Sequence, residues 1–325
     1  MTTNGRPTSG LSPDKAFGLL ADETRLEILR TLSETDEPLS FSGLFERSEY
    51  DDSSNFSYHL EKLEGHFVSR TDRGYVLRQA GRRVVEAVIA GTVTDDPVVE
   101  RERTENPCPY CGAPIEVSYE QEHVEMYCSE CPGALRHEDP RDQLAIDDDA
   151  FGYLGNMSLP PAGVRGRTPT ELLQAAQAWK HLEVMADSAE FCSRCSGVVE
   201  HSVTVCEDHD GSEGICEHCG RRYAVLFEVE CGTCHYNKRG IAPTCLLAKT
   251  ELLSFLTDHG GNPLVPETFD VEPGAVANYE EDVISTDPVR VALTFTVDDD
   301  ALTLTINEDV SVVDVTRDRK GESDC

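Results

Sequence analysis

The sequence has little positive charge. It contains 28 Lys and Arg residues against 61 Asp and Glu residues, which gives a formal net charge of −33, and only 6 of the 28 basic residues are Lys. A surface this acidic disfavours nonspecific attraction to nucleic acid or anionic lipid. The acidic residues are spread along the whole chain rather than gathered in a tail, so they suit a salt-rich cytoplasm in which carboxylates hold water and cations.

Signals for export and for membrane insertion are also missing. The first ten residues, MTTNGRPTSG, lack an apolar segment, and no stretch approaches the roughly 18 apolar residues that a membrane span needs. We therefore expect a cytoplasmic protein without membrane contact. In that reducing compartment, thirteen cysteines predict metal binding rather than disulfides.

The common catalytic patterns are absent from the sequence as well. We find no Ser-His-Asp arrangement, no glycine-rich phosphate loop and no HExxH motif. The sequence therefore predicts a protein that is not an enzyme.

Residues 11–95 predict a series of helices and one β-hairpin. Ser12 and Pro13 begin a first helix, and Asp22 caps a second. A short third helix begins near Ser40, and a fourth opens at Asp52 with apolar residues at steps of four, three and four. Residues 67–78 alternate in strand fashion around a turn, and a last helix follows.

This order of elements is typical of a winged helix-turn-helix, in which the fourth helix enters the major groove of double-stranded DNA. The exposed face of that helix is rich in residues that can reach bases or phosphates. Residues 68–83 hold five Arg and one acidic residue, where a wing would meet the DNA backbone. The predicted DNA contacts are Ser54, Asn55, Ser57, Tyr58 and Lys62 on the helix, and Arg70 and Arg73 on the hairpin.

The segments ETRLEILRTL and NFSYHLEKLEGHFV, followed by GYVL, resemble the ArsR-type winged-helix regulators over about residues 12–92. The whole chain is similar to regulators of halophilic archaea that join this module to cysteine-rich domains. The resemblance implies transcriptional regulation through DNA binding. The metal-sensing sites of that family do not carry over, because residues 1–107 contain no Cys and the last helix of the module contains no His.

An apolar stripe on the last helix of the module predicts a homodimer. Val84, Val85, Val88 and Ile89 make this stripe wider than the core of one monomer usually needs. We expect the first and last helices of the module to form the dimer interface.

The first cysteine cluster has the spacing of a zinc ribbon. Two CxxC pairs, separated by sixteen residues that read as a β-hairpin, supply four thiolates for a closed tetrahedral site. Such a site is structural, because it leaves no open coordination position. The predicted ligands are Cys108, Cys111, Cys128 and Cys131.

The second cluster has ligands for two further zinc ions. Its four pairs can combine sequentially, in a nested way or in an interleaved cross-brace. Two strand-like segments, 197–205 and 221–230, favour nesting because antiparallel pairing brings the first and last pairs together. The interleaved arrangement stays open. The predicted ligands are Cys192, Cys195, Cys206, His209, Cys216, Cys219, Cys231 and Cys234, which makes about three zinc ions for the chain.

The sequence thus predicts a multidomain α+β protein. It combines an N-terminal winged helix-turn-helix, a zinc ribbon, a second β-rich domain with two zinc ions and a small α/β C-terminal region. The predicted segments are a flexible tail 1–10, the winged helix 11–95, a linker and ribbon 96–137, an acidic connector with one helix 138–188, the second zinc domain 189–240, and a helix plus β-hairpin 241–325.

Two functions fit these features. The first is a sequence-specific transcriptional regulator whose zinc-bearing half dimerises, binds an effector or contacts the transcription machinery. The second is a basal factor of the transcription factor E type, which also joins a winged helix to a zinc ribbon and acts through polymerase contacts. The second zinc cluster favours the first interpretation.

Overall fold

The structure, a computed structural model, describes residues 10–136, 151–211, 214–262 and 279–319. It is a mixed α+β protein with several small antiparallel sheets. The chain divides into two units, Met1–Asp95 and Asp96–Cys325, which we call unit 1 and unit 2. The predicted tail 1–10 lies outside the described residues except for Gly10.

Unit 1 contains the predicted helices and hairpin. Asp22 caps the second helix by accepting the Arg25 amide hydrogen at 3.2 Å, and Ser40 caps the third through Gly43 at 3.1 Å. The elements are α1 Pro13–Leu20, α2 Glu23–Ser33, α3 Phe41–Arg47, α4 Ser53–Leu63, β1 Val68–Thr71, β2 Gly74–Leu77 and α5 Gln79–Ile89.

The core of unit 1 forms around the apolar stripe of α4. Phe56 and Leu63 are fully buried and pack with Ile28 of α2. The hairpin of β1 and β2 is fastened to the chain before α3, because Leu39 and Tyr75 exchange two backbone hydrogen bonds of 3.1 and 2.8 Å.

Unit 2 begins with a four-stranded antiparallel sheet in the order β3-β4-β5-β6. Its strands are β3 Val99–Pro107, β4 Pro114–Glu120, β5 His123–Cys128 and β6 Tyr153–Ser158. The linker predicted at the start of 96–137 is therefore a strand: Thr104 is 5% exposed and donates to the carbonyl of Ile115. Likewise, the predicted connector 138–188 contributes β6, and its first residues, 138–150, lie outside the described ranges.

The predicted helix of the connector is α6 Pro169–Ser188. It starts with a capping box, in which Thr168 and Glu171 each bind the other's backbone N–H. Leu172 and Leu173, near the start of α6, are buried against the first sheet of unit 2.

The remainder of unit 2 has two further antiparallel sheets and two helices. The elements are β7 Val199–Val205, β8 Val225–Cys231, β9 Asn237–Gly240, α7 Pro243–Leu246, α8 Thr250–Asp258, β10 Glu280–Thr286, β11 Val289–Val297, β12 Asp300–Asn307 and β13 Val312–Arg319. The last four strands form one sheet in chain order, so the C-terminal region is larger than the predicted helix plus β-hairpin.

One apolar core joins the predicted segments 189–240 and 241–325. Phe227 of β8, Phe255 of α8 and Phe295 of β11 are fully buried in the same cluster. These two segments are therefore not separate bodies. None of the helices in the described ranges combines the length and the apolar character that crossing a bilayer requires.

The turn of the β1–β2 hairpin provides a test of how closely the hairpin packs against Leu39 in unit 1. Gly74 has a φ of 138°, and a Cβ atom there would lie 2.2 Å from the carbonyl oxygen of Leu39. We expect Gly74→Ala to lower the free energy of unfolding of unit 1 by at least about 2 kcal/mol, measured by hydrogen exchange of amides in α2 and α4.

Gly65→Ala is the matched control. Gly65 also has a positive φ, 83°, but a Cβ atom there would meet nothing within 4 Å. This variant should therefore cost only about 1 kcal/mol, which is the backbone conformational term alone. Equal losses in the two variants would contradict the close approach of the hairpin to Leu39.

Candidate metal centres and nucleic-acid interface

Four of the CxxC turns share one backbone geometry. In each, the N–H of the first cysteine donates to the carbonyl five residues later, and its own carbonyl accepts from the N–H four residues later. The residue after the second cysteine has a positive φ: 77° at Gly112, 59° at Ser196, 66° at Gly220 and 58° at His235. The repeated turn places the two thiols of a pair next to each other.

The cysteines and one histidine collect into three groups, which we name site A, site B and site C. Within each site, the ligand atoms all lie within 4.8 Å of one another. Site A contains Cys108, Cys111, Cys128 and Cys131; site B contains Cys192, Cys195, Cys231 and Cys234; site C contains Cys206, His209, Cys216 and Cys219. All twelve predicted ligands are thus brought together.

Sites B and C lie at opposite ends of the β7–β8 pair. The register pairs Val199 with Cys231 at one end and Val205 with Val225 at the other. The pair Cys192 and Cys195 comes just before β7 and therefore meets the pair at the end of β8. This is the nested arrangement that the strand pattern favours, and the interleaved one is absent.

The distances between sulfur atoms test whether a metal fits. They are 3.7 Å for Cys108–Cys131, 3.5 Å for Cys111–Cys128 and 3.6 Å for Cys195–Cys231. A disulfide needs about 2.05 Å. A tetrahedral ion with bonds to sulfur of about 2.3 Å puts its ligands about 3.8 Å apart. The observed separations in sites A and B therefore fit a tetrahedral metal ion and are longer than a disulfide bond.

The orientation of His209 suits a ligand in site C. Its Nδ1 lies 3.4 Å from the Cys219 sulfur, and its Nε2 lies 3.1 Å from the carbonyl oxygen of Arg222. A metal-binding histidine commonly donates its second N–H to a carbonyl in this way, because the bond fixes the ring and its tautomer. His218, between Cys216 and Cys219, and His235, directly after Cys234, are not part of the three groups.

Backbone amides point at the sulfur atoms of these sites. The N–H groups of Glu130, Arg194 and Thr233 donate to the sulfurs of Cys128, Cys192 and Cys231, each at 3.4 Å. Such bonds favour the thiolate over the thiol, since they stabilise its negative charge.

Cys245 differs from the ligand cysteines. It is 1% exposed, and burial raises the pKa of its thiol to about 12. Cys245 therefore behaves as a small buried apolar side chain on α7.

The exposed face of α4 carries the predicted base contacts. Ser54, Asn55 and Lys62 are exposed, Tyr58 is 50% exposed, and Ser57 is partly buried. The Lys62 ammonium lies 5.2 Å from the centre of the Tyr58 ring. The face is therefore polar, open and partly ordered by a cation–π contact.

The N-terminus of α4 is already occupied by a carboxylate. Asp52 Oδ1 accepts the amide hydrogens of Ser54 at 2.9 Å and Asn55 at 3.2 Å. These amides are consequently unavailable to a phosphate, so any contact of α4 with nucleic acid depends on side chains.

The hairpin presents its arginines to solvent. Arg70 on β1 and Arg73 in the turn are both exposed, and the Arg70 guanidinium lies 5.7 Å from the centre of the Tyr75 ring. Arg78, which precedes α5, is exposed as well.

A polar cluster behind α4 was missed from the sequence. His59 is 8% exposed, and its Nδ1 lies 3.2 Å from Asp22 and 3.3 Å from the Nε of Arg25. Arg25 also donates to the carbonyls of Gly18 and Leu19 at the end of α1. The cluster joins α1, α2 and α4, and its residues carry no sequence signal because they are distant in the chain.

The apolar stripe on α5 divides between the core and the surface. Val85 is 2% exposed and Val84 packs on the core, whereas Ile89 is 54% exposed. On α1, Phe17 is 73% exposed. Unit 1 thus presents uncovered apolar side chains on its first and last helices.

Comparison with known proteins gives families without an assigned activity. Residues 13–88 match the family described as Domain of unknown function (DUF7347). No curated protein and no solved structure matches the chain. Residues 105–312, well over half of the chain, match Domain of unknown function (DUF7351), and the chain therefore belongs to that family.

Proposed function

We propose that the chain is a sequence-specific, double-stranded DNA-binding transcriptional regulator of the ArsR type, with zinc in sites A, B and C. In this proposal unit 1 is a winged helix-turn-helix, α4 reads the bases and the β1–β2 hairpin is the wing. The observation that carries it is the open polar face of α4 beside a hairpin whose arginines face solvent.

The donor set supports zinc as the metal. Eleven cysteines and one histidine in three groups of four match the ligands of structural zinc, and site A has the spacing of a zinc ribbon. Each group is complete with four protein ligands, so none offers a position for substrate. The zinc ions would hold the strand ends of unit 2 together rather than perform chemistry.

The charge distribution supports short-range contacts with DNA. Residues 1–95 carry a net charge of −5, whereas the remaining residues carry −28. At molar salt the Debye length is about 3 Å, so acidic groups beyond contact distance have little effect on phosphates. The same salt weakens counterion release, and binding then depends on direct contacts from α4 and the hairpin.

The zinc assignment predicts about three zinc ions per chain, measured by elemental analysis of protein purified without added metal. Cys108→Ser should reduce the count to about two and unfold the first sheet of unit 2, because site A loses a ligand. It should leave DNA binding by unit 1 intact.

Cys245→Ser is the control for replacing a cysteine. Cys245 is buried but lies outside the three sites, so this variant should keep about three zinc ions. One zinc ion or none in the unmodified chain would refute the assignment.

The DNA contacts predict two different mutational effects, measured by binding to DNA from the gene's own promoter and to random DNA. Asn55→Ala or Tyr58→Ala should cost about 1–3 kcal/mol on the promoter site and reduce specificity, because base contacts are lost. Arg73→Ala should weaken binding to both DNAs about equally, since a phosphate contact carries no sequence information.

Arg290→Ala is the matched control, because it removes one exposed arginine from unit 2 and should leave binding unchanged. If the double variant of Arg70 and Arg73 binds as tightly as the unmodified chain in high salt, the hairpin does not touch DNA. Equal affinity for promoter and random DNA would instead favour the basal-factor function.

A homodimer through α1 and α5 would cover Phe17 and Ile89, and its two-fold axis would place DNA half-sites about one helical turn apart. Ile89→Glu should convert the dimer to a monomer in light scattering at high salt, because the charge would be buried at the interface. Ile284→Glu, at a residue 56% exposed in unit 2, should leave the dimer intact. A monomeric unmodified chain, with and without DNA, would contradict this arrangement.

A further inference from the structure

The three sites differ in how far solvent reaches their sulfur-bearing residues. In site B both Cys195 and Cys234 are exposed. In site A only Cys111 is exposed, and no residue of site C is. Since oxidation of cysteine follows thiolate character and exposure, site B is the one most open to a soluble oxidant.

Each of the two chain segments that carry site B places a basic side chain beside the same carboxylate of α6. Arg194, inside the first CxxC turn, places Nη2 2.8 Å from Glu183 Oε1. Lys238, four residues after Cys234, places Nζ 3.0 Å from Glu183 Oε2. Glu183 is only 5% exposed, and both of its carboxylate oxygens also accept hydrogen bonds of 3.1 Å from Ser158 Oγ of β6. Arg194 and Lys238 are therefore the charged partners of a buried carboxylate that Ser158 holds as well.

A second carboxylate of α6 binds the same turn. Asp187, one helical turn after Glu183, is fully buried and accepts the amide hydrogen of Ser193 at 3.0 Å. The first turn of site B therefore contacts α6 at two acidic residues on one face. The helix is packed in both halves: Leu172 and Leu173 lie against the first sheet of unit 2, and Val184 is 1% exposed in the core that contains Phe227.

The single tryptophan of the chain reports on this contact. Trp179 donates its indole N–H to Glu183 Oε1 at 3.1 Å and is 37% exposed. A change in the position of Glu183 must alter the surroundings of the indole.

From these contacts we propose that site B is a peroxide-oxidisable thiolate centre, and that its opening withdraws Arg194 and Lys238 from Glu183 of α6 and so changes the surroundings of Trp179. The proposal rests on the zinc assignment above and adds a modification site to it. In the reduced, metal-bound state the two turns of site B hold Arg194 and Lys238 against Glu183. In the oxidised state the turns lose their metal and their fixed spacing.

The chemistry uses hydrogen peroxide as the oxidant. The Cys195 thiolate attacks one peroxide oxygen, the O–O bond breaks, and a sulfenic acid and hydroxide form. The thiolate of Cys231, whose sulfur lies 3.6 Å away, then attacks the sulfenic sulfur and displaces a second hydroxide, leaving a disulfide. Two thiolates supply the two electrons that peroxide accepts, and the disulfide between Cys195 and Cys231 would leave site B with only two of the four ligands that hold zinc.

The test is a titration of the full, zinc-loaded chain with hydrogen peroxide in high salt. Released zinc is measured with a coloured chelator, tryptophan emission by fluorescence, and the oxidised cysteines by alkylation and mass spectrometry. We expect the first of the three zinc ions to leave together with a red shift of the emission. The first disulfide should link Cys195 to Cys231, and thiol reductant with added zinc should reverse both signals.

The variant Glu183→Gln tests whether the change in tryptophan emission depends on the charge of Glu183 rather than on zinc loss itself. The amide still accepts a hydrogen bond from Trp179 but carries no charge that needs Arg194 and Lys238. This variant should lose the first zinc ion at the same peroxide concentration with little shift of the emission. Cys245→Ser, outside the three sites, should respond as the unmodified chain does.

Two results would overturn the proposal. Either the first zinc ion leaves from site A or C, with oxidation at Cys111 or Cys219 rather than Cys195, or site B loses its zinc without any change in emission. A purified chain that contains no zinc at site B would be a different failure, because it would refute the zinc assignment and this proposal together.

Discussion

The convergence of four potential ligand atoms at each of sites A, B and C is the constraint on which unit 2 depends. Sulfur atoms lie 3.5–3.7 Å apart in sites A and B, and backbone N–H groups donate to several of them. Thiolates this close would need a cation between them. Because sites B and C lie at the two ends of the β7–β8 pair, cations bound there would also fix the ends of that pair.

The candidate metal sites and the apolar core share the same strands of unit 2. Phe227 on β8 lies in the same buried cluster as Phe255 and Phe295, so the strands that carry the ligands are also central to the core. α6 contacts the first sheet through its leucines and site B through Glu183. A disturbance at site B therefore has a direct physical route to Glu183, whereas Leu172, Leu173 and Val184 hold the helix in the apolar cores of unit 2.

The sequence predicts those features of the fold and of the candidate sites that depend on local residue patterns. The apolar steps of α4 predict its buried stripe, and the CxxC spacing with two strand-like segments favours the nested sites over the interleaved ones. It does not predict β3, because VERERTENP is charged at five of its nine residues and becomes a strand only through pairing with β4. The contacts of Glu183 with Arg194 and Lys238 are likewise tertiary, as the three residues come from separate elements.

X-ray absorption at the zinc edge tests the account most directly, because it measures the ligands themselves. Eleven cysteines and one histidine in three sites predict a first shell of sulfur at about 2.3 Å with about one nitrogen for every eleven sulfurs. Conversion of His209 to Cys should remove the nitrogen component. A shell dominated by oxygen or nitrogen would contradict the account, because it would place the metal outside sites A, B and C.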